Sequence, residues 1–79
     1  MRVRVKLFAT LRRYVDGAAD RVPFEVDLAE GATIADLIQQ LNLPAEEVKV
    51  AFVNARARPE DWQLEPDDEV GIFPPVGGG

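Results

Sequence analysis

The chain of 79 residues contains no cysteine and no histidine. Those two absences exclude disulfide bonds, thiolate nucleophiles, imidazole bases and nearly every zinc or iron–sulfur centre. Methionine, tryptophan and tyrosine occur once each. No apolar run approaches the roughly 20 residues that span a bilayer. The opening residues, Met1-Arg2-Val3-Arg4-Val5-Lys6, alternate charge with valine instead of forming the apolar stretch of a secretion signal. The expected location is therefore the cytoplasm. A phosphate-cradling glycine loop ahead of a helix is also missing, so nucleotide binding by this chain is not expected.

What is present suits one small domain. Hydrophobic residues make up 47% of the chain, enough for a packed core. The formal net charge of −5 is unevenly placed: acidic and basic residues balance over 1–40, and residues 41–79 carry the whole excess. Glu60, Asp61, Glu65, Asp67, Asp68 and Glu69 crowd one short stretch. This balance argues against nucleic acid, whose phosphates require a basic surface. The acids are expected to solvate a loop, with steering toward a basic partner as the functional alternative.

Hydrophobic periodicity gives the order of elements. Val3 to Phe8 alternates with period two, Val3, Val5 and Leu7 facing the core and Arg2, Arg4, Lys6 and Phe8 facing outward. Residues 9–16 read as a short helical turn closed by Gly17. A second alternating strand runs from Arg21 to Leu28, with Val22, Phe24, Val26 and Leu28 on one side. Antiparallel pairing would set its Glu25 and Asp27 opposite Arg4 and Lys6. Thr33 and Asp36 have the spacing of a capping box, ahead of an apolar stripe at Ile34, Leu37, Ile38 and Leu41. Asn42 and Pro44 end that helix.

Val48 to Val53 is a third strand, apolar on both faces except at Lys49, which predicts a central position or a covered outer face. Asn54-Ala55 turns the chain into a short strand around Arg56–Arg58. Pro59 to Asp68 is a loop that Trp62 and Leu64 are expected to pin to the core. Glu69 to Phe73 is the last strand, stopped by Pro74-Pro75, which cannot donate to a ladder. The order predicts an α+β fold and is well accommodated by a small mixed sheet on one main helix, with first and last strands parallel in its centre, although other small α+β arrangements fit the same pattern. Alternation places Phe8 and Phe73 side by side on the face away from the helix, as a candidate docking patch. Asp16, Asp20 and the 60–69 acids lack the spacing of a catalytic pair, and no side chain is assigned a catalytic role.

The run Asp67-Asp68-Glu69-Val70-Gly71-Ile72-Phe73-Pro74-Pro75-Val76-Gly77-Gly78-Gly79 resembles the C-terminus of the small subunit of molybdopterin synthase, a family of MoaD/ThiS sulfur carriers. The resemblance extends to Leu7-Phe8-Ala9 with Leu11-Arg12, to Thr33-Ile34-Ala35-Asp36-Leu37 and to Val53-Asn54. Gly77 departs from the family, which often has alanine, serine or threonine there. The resemblance implies a ubiquitin-like β-grasp domain over residues 1–74 and a flexible functional tail over 75–79. It further implies that an activating enzyme adenylates the Gly79 carboxylate with ATP and magnesium, and that a sulfur donor protein converts it to a thiocarboxylate. The tail would then deliver sulfur to a pterin precursor in the large synthase subunit, which supplies the catalytic side chains. Phe8, Phe73, Pro74, Pro75, Val76, Gly77 and Gly78 are the implied partner-binding residues, and no cofactor or metal is expected on this chain. Relatives that serve thiamine or tRNA thiolation, or that join their carboxylate to lysines of other proteins, share the Gly-Gly ending. A passive interaction domain is the reading without carrier chemistry.

The tail's composition fits such a role. Glycines lack Cβ atoms and can thread a narrow channel, while Pro74-Pro75 stiffens the exit. A terminal α-carboxylate, with an ordinary pKa of about 3.3–3.7, is ionised at neutral pH and can attack an activated phosphate.

Overall fold

A computed structural model describes residues 1–15 and 23–75. Its strands are β1 (Arg2–Leu7), β2 (Phe24–Asp27), β3 (Val50–Val53), β4 (Arg56–Arg58) and β5 (Glu69–Phe73), with one helix, α1 (Ile34–Gln40). Two short 3₁₀ helices, Ala9–Tyr14 and Ala45–Glu47, follow β1 and precede β3. The five strands form one sheet in the order β2-β1-β5-β3-β4. β5 lies at its centre, parallel to β1 as the element order predicts, with β3 antiparallel on its other side. Gly17 and the expected strand residues Arg21 and Val22 lie outside the described residues.

Alternation decides the core. Val3, Val5 and Leu7 of β1, Ala51 and Val53 of β3, and Val70 and Ile72 of β5 are all buried on one face of the sheet. Ile34, Leu37 and Ile38 of α1 join the same cluster, with Leu11, Val26, Leu28, Leu43 and Leu64 around them. Each valine, leucine or isoleucine among them, fully buried, contributes about 1.5–3 kcal/mol relative to exposure. The capping box forms as its spacing predicts: Asp36 N donates to Thr33 Oγ1, and Thr33 N to Asp36 Oδ2. Two further N–H groups of the first helical turn find backbone partners in the loop, Ile34 N donating to Trp62 O and Ala35 N to Glu60 O. A helix this short is marginal alone, and its orphan donors are met by a segment some 25 residues downstream.

Three expectations need correction. In the β1–β2 ladder Asp27 faces Arg2 and Glu25 faces Arg4, so the pairing is shifted by two residues and Lys6 has no acidic partner there. A slip of two keeps every side chain on its face, so alternation alone cannot select between the registers. Mutual hydrogen bonds between Met1 and Leu28, both 2.7 Å, continue the observed one. Trp62 is 38% exposed rather than a core anchor. Its ring lies under the Arg58 guanidinium, 4.0 Å from the ring centroid, and the loop is pinned instead by Leu64 and by backbone bonds to α1. Asp68, expected to solvate the loop, is buried: it accepts from Glu65 N at 2.8 Å and from Asn54 Nδ2 at 2.9 Å.

Candidate functional site

The outer face of the sheet is set by the residues that alternation leaves pointing away from α1. β5 contributes Glu69, Gly71 and Phe73, while β3 contributes Val50 and Phe52. Phe8, at the end of β1, stacks on Phe73 with ring centroids 4.0 Å apart and planes 7° from parallel. The two rings are half-buried rather than freely exposed as the sequence suggests. Phe52 meets Phe73 edge-on at 5.4 Å and 78°. It completes a three-ring cluster that sequence reasoning had not singled out. The signal was present in the alternation of Val50-Ala51-Phe52-Val53, which puts Phe52 outward once Ala51 and Val53 are inward.

Gly71 lies at the middle of this face. A Cβ there would come within 3.3 Å of Phe8 Cε2, closer than packed carbons ordinarily sit, and would make an ordinary 3.7 Å contact with Phe73 Cε1. Gly71 also lines an open groove of about 490 Å³ on this face, walled by Phe8, Phe52, Phe73 and Pro23. Arg4 and Glu69 close one end through an ion pair at 3.2 Å. The Lys6 ammonium lies 5.2 Å from the centroid of the Phe8 ring.

Charge is distributed so that this face carries cations along β1. Arg2 is engaged by Asp27 at 3.1 Å and Glu25 at 3.7 Å. The hydrogen bond to Asp27, with the attraction of both carboxylates, holds its guanidinium above the ordinary arginine range. The acidic loop lies at the opposite end of β5 from Phe73, about 13 Å along the strand. Two of its acids are already committed, Asp68 to Asn54 and Glu69 to Arg4.

Where β5 ends, both neighbours hold its last carbonyls: Phe8 N donates to Ile72 O at 3.1 Å, and Lys49 N to Phe73 O at 2.9 Å. Pro74 follows half-buried and Pro75 exposed, so the chain leaves the sheet beside the aromatic cluster. Of the residues singled out from sequence, Phe8 and Phe73 are thus brought into contact on the outer face, with Pro74 and Pro75 directly following Phe73 in the chain. Val76, Gly77, Gly78 and Gly79 lie outside the described residues. Among the described residues, no cluster of acidic side chains could hold a metal ion, and no helix is long and apolar enough to cross a membrane.

Comparison with known proteins agrees with this architecture. The ThiS family matches residues 5–79. No curated protein matches the chain. Among solved structures, a putative molybdopterin converting factor subunit 1 from Pyrococcus furiosus is 32% identical, with a TM-score of 0.74 over 96% of this chain and 99% of its own. Small archaeal modifier protein 1 of Haloferax volcanii is 23% identical, with a TM-score of 0.72 over 95% of this chain and 98% of its own. Subunit 1 or 2 in a molybdopterin-converting factor complex from Helicobacter pylori 26695 aligns at 19% identity and a TM-score of 0.63, each chain covered in full. The last two likenesses concern the fold alone. With a family match over nearly its whole length and a five-stranded β-grasp sheet on one helix, the chain belongs to the ThiS family of ubiquitin-like sulfur carriers.

Proposed function

We propose that this chain is the sulfur-carrying small subunit of a molybdopterin synthase, acting in the cytoplasm through the α-carboxylate of Gly79. The observation that carries the reading is the 32% identity, over nearly both full lengths, to a protein described as molybdopterin converting factor subunit 1. In the proposed cycle a carboxylate oxygen of Gly79 attacks the α-phosphorus of ATP on a separate activating enzyme, and magnesium pyrophosphate leaves. Sulfide supplied by a donor protein then attacks the carbonyl carbon of the acyl-adenylate. AMP departs and a thiocarboxylate remains. The chain contributes the reacting terminus and a surface that docks it, while ATP, magnesium and catalytic side chains belong to its partners.

A large subunit is the partner proposed for the outer face, by analogy with the two-subunit complex from Helicobacter pylori. The half-buried Phe8, Phe52 and Phe73 cluster beside the tail exit supports this, since aromatic anchors dominate interface energetics. The test is reconstitution. Thiocarboxylated chain, a purified large subunit and the cyclic pterin precursor should yield dithiolene product, with the carrier returned as carboxylate. A carrier that remains thiocarboxylated in this mixture, but builds lysine-linked ladders in cell extract, would instead assign it to protein modification.

A further inference from the structure

We propose that the free edge of β4 is a second docking site, which takes an extended peptide of the pattern acid–apolar–acid as a sixth, antiparallel strand. The inference does not depend on the carrier reading. Among the described residues, β4 ends the strand order β2-β1-β5-β3-β4, so one of its edges has no neighbouring strand. The two-residue turn Asn54-Ala55 makes Val53 and Arg56 a hydrogen-bonded pair, and bonding to β3 alternates from there. Ala57, opposite Phe52, therefore makes no bond to β3, and its N–H and C=O point away from the sheet. An added extended chain can use both groups.

Side chains supply the specificity. Arg56 lies opposite the buried Val53 and Arg58 opposite the buried Ala51, which puts both arginines on the face that carries α1. There they line a groove of about 720 Å³ together with Trp62 and Leu64. Among the described residues, neither arginine forms an ion pair. The Arg58 guanidinium stacks 4.0 Å from the Trp62 ring centroid, an arrangement that leaves its N–H edge open to a carboxylate. With Ala57 bonded to the central residue of the peptide, the residues facing Arg56 and Arg58 take the closer, non-hydrogen-bonded positions, about 4.5 Å between Cα atoms. Carboxylates fit there. The central residue points to the outer face beside Phe52 and is apolar.

The same charges reject other occupants. A second copy pairing antiparallel through β4 about Ala57 would set Arg56 against Arg58 twice, a repulsion that guards edge strands against self-association. A nucleic acid would meet Asp61 and Glu65, which line the same groove. Those two carboxylates also disfavour a longer acidic run, so two acids spaced by one apolar residue is the pattern that fits.

Trp62 is the one tryptophan of the chain, so its fluorescence reports on this groove alone. The experiment titrates the full chain with the capped peptide acetyl-Thr-Glu-Val-Glu-Thr-amide, following Trp62 emission and the Ala57 amide resonance. Both should change saturably, with half-saturation at about millimolar concentration or below. Replacing both arginines (Arg56→Ala with Arg58→Ala) should weaken binding on the order of tenfold. Methylating the valine nitrogen of the peptide removes the N–H that Ala57 O accepts and should abolish binding, as should exchanging both glutamates for lysine. Neither probe responding to the wild-type chain, or equal binding by the double variant, the methylated peptide or the lysine peptide, each overturns the proposal.

Discussion

Phe8 and Phe73 stack face to face on the outer surface of the sheet, 4.0 Å between centroids, at the point where the chain leaves β5. The stack exists because Gly71 puts no side chain beneath it. Covering a strand glycine with a neighbouring aromatic ring restores apolar contact that the glycine itself cannot make. The same rings are left half-buried, with area still to lose to a partner.

Phe73→Ala should therefore weaken binding as well as folding. Within the domain it removes two ring pairs, each contributing about 0.5–1.5 kcal/mol beyond simple burial. At a docked interface, truncating a central aromatic costs about 2 kcal/mol or more. Titration calorimetry with the large subunit should show affinity weakened at least about tenfold, while adenylation of the tail proceeds at near wild-type rates. Unchanged affinity would remove Phe73 from the interface.

The β3–β4 hairpin carries a correctable cost. Asn54 and Ala55 have φ of 50° and 72°, the two left-handed residues of a tight hairpin. Asparagine tolerates this conformation, but alanine in it costs about 1–2 kcal/mol. Ala55→Gly should raise the midpoint of urea unfolding by the equivalent of roughly 1 kcal/mol, discounted for the greater freedom of glycine in the unfolded chain. A lowered midpoint would show that the Ala55 methyl makes compensating contacts.

Asn54 has a second task. Its Nδ2 donates to the buried Asp68 carboxylate at 2.9 Å, and its Oδ1 accepts from Glu69 N at 3.0 Å. Asn54→Ala leaves Asp68 with one partner fewer and strains the turn as well. Leaving a buried charged group under-bonded costs about 1–3 kcal/mol, so chemical denaturation should show a loss of about 2–4 kcal/mol once the left-handed penalty is added. A loss under about 0.5 kcal/mol would mean that water replaces the amide without cost.

The fold was legible wherever one periodicity had a single solution. Alternation in 3–8 and 69–73, the apolar stripe behind Thr33 and the Asn54-Ala55 turn each admitted one placement, whereas the full strand order did not follow from the pattern, which other small α+β arrangements also fit. Legibility failed where two arrangements share a pattern. The β1–β2 register slips by two residues without moving any side chain to the other face, so charge pairing alone pointed to the wrong partners for Lys6 and Asp27. Tryptophans are usually well buried, which points to an anchoring role for Trp62, yet Arg58 offers its ring a cationic cover at the surface.

At the candidate site, the Phe8–Phe73 pairing followed from alternation plus strand adjacency. Phe52 needed the β3–β5 register, in which it sits opposite Gly71. Elsewhere, the hydrogen bond from the Tyr14 hydroxyl to Glu47 could not be read in advance, because two 3₁₀ segments with no periodic signature meet only once β1, β5 and β3 are side by side. Asp68 illustrates the same point. Its neighbours in sequence are exposed acids, and only the hairpin's return brings Asn54 to it.

The central claim is that Gly79 carries sulfur as a thiocarboxylate. Its most direct test is the intact mass of the chain after incubation with an activating enzyme, ATP, magnesium and a sulfide source. The account predicts a mass increase matching one terminal oxygen replaced by sulfur, dependent on ATP and abolished when a residue is appended after Gly79. An unchanged mass with several competent activating enzymes, or an equal gain by the extended chain, would contradict it.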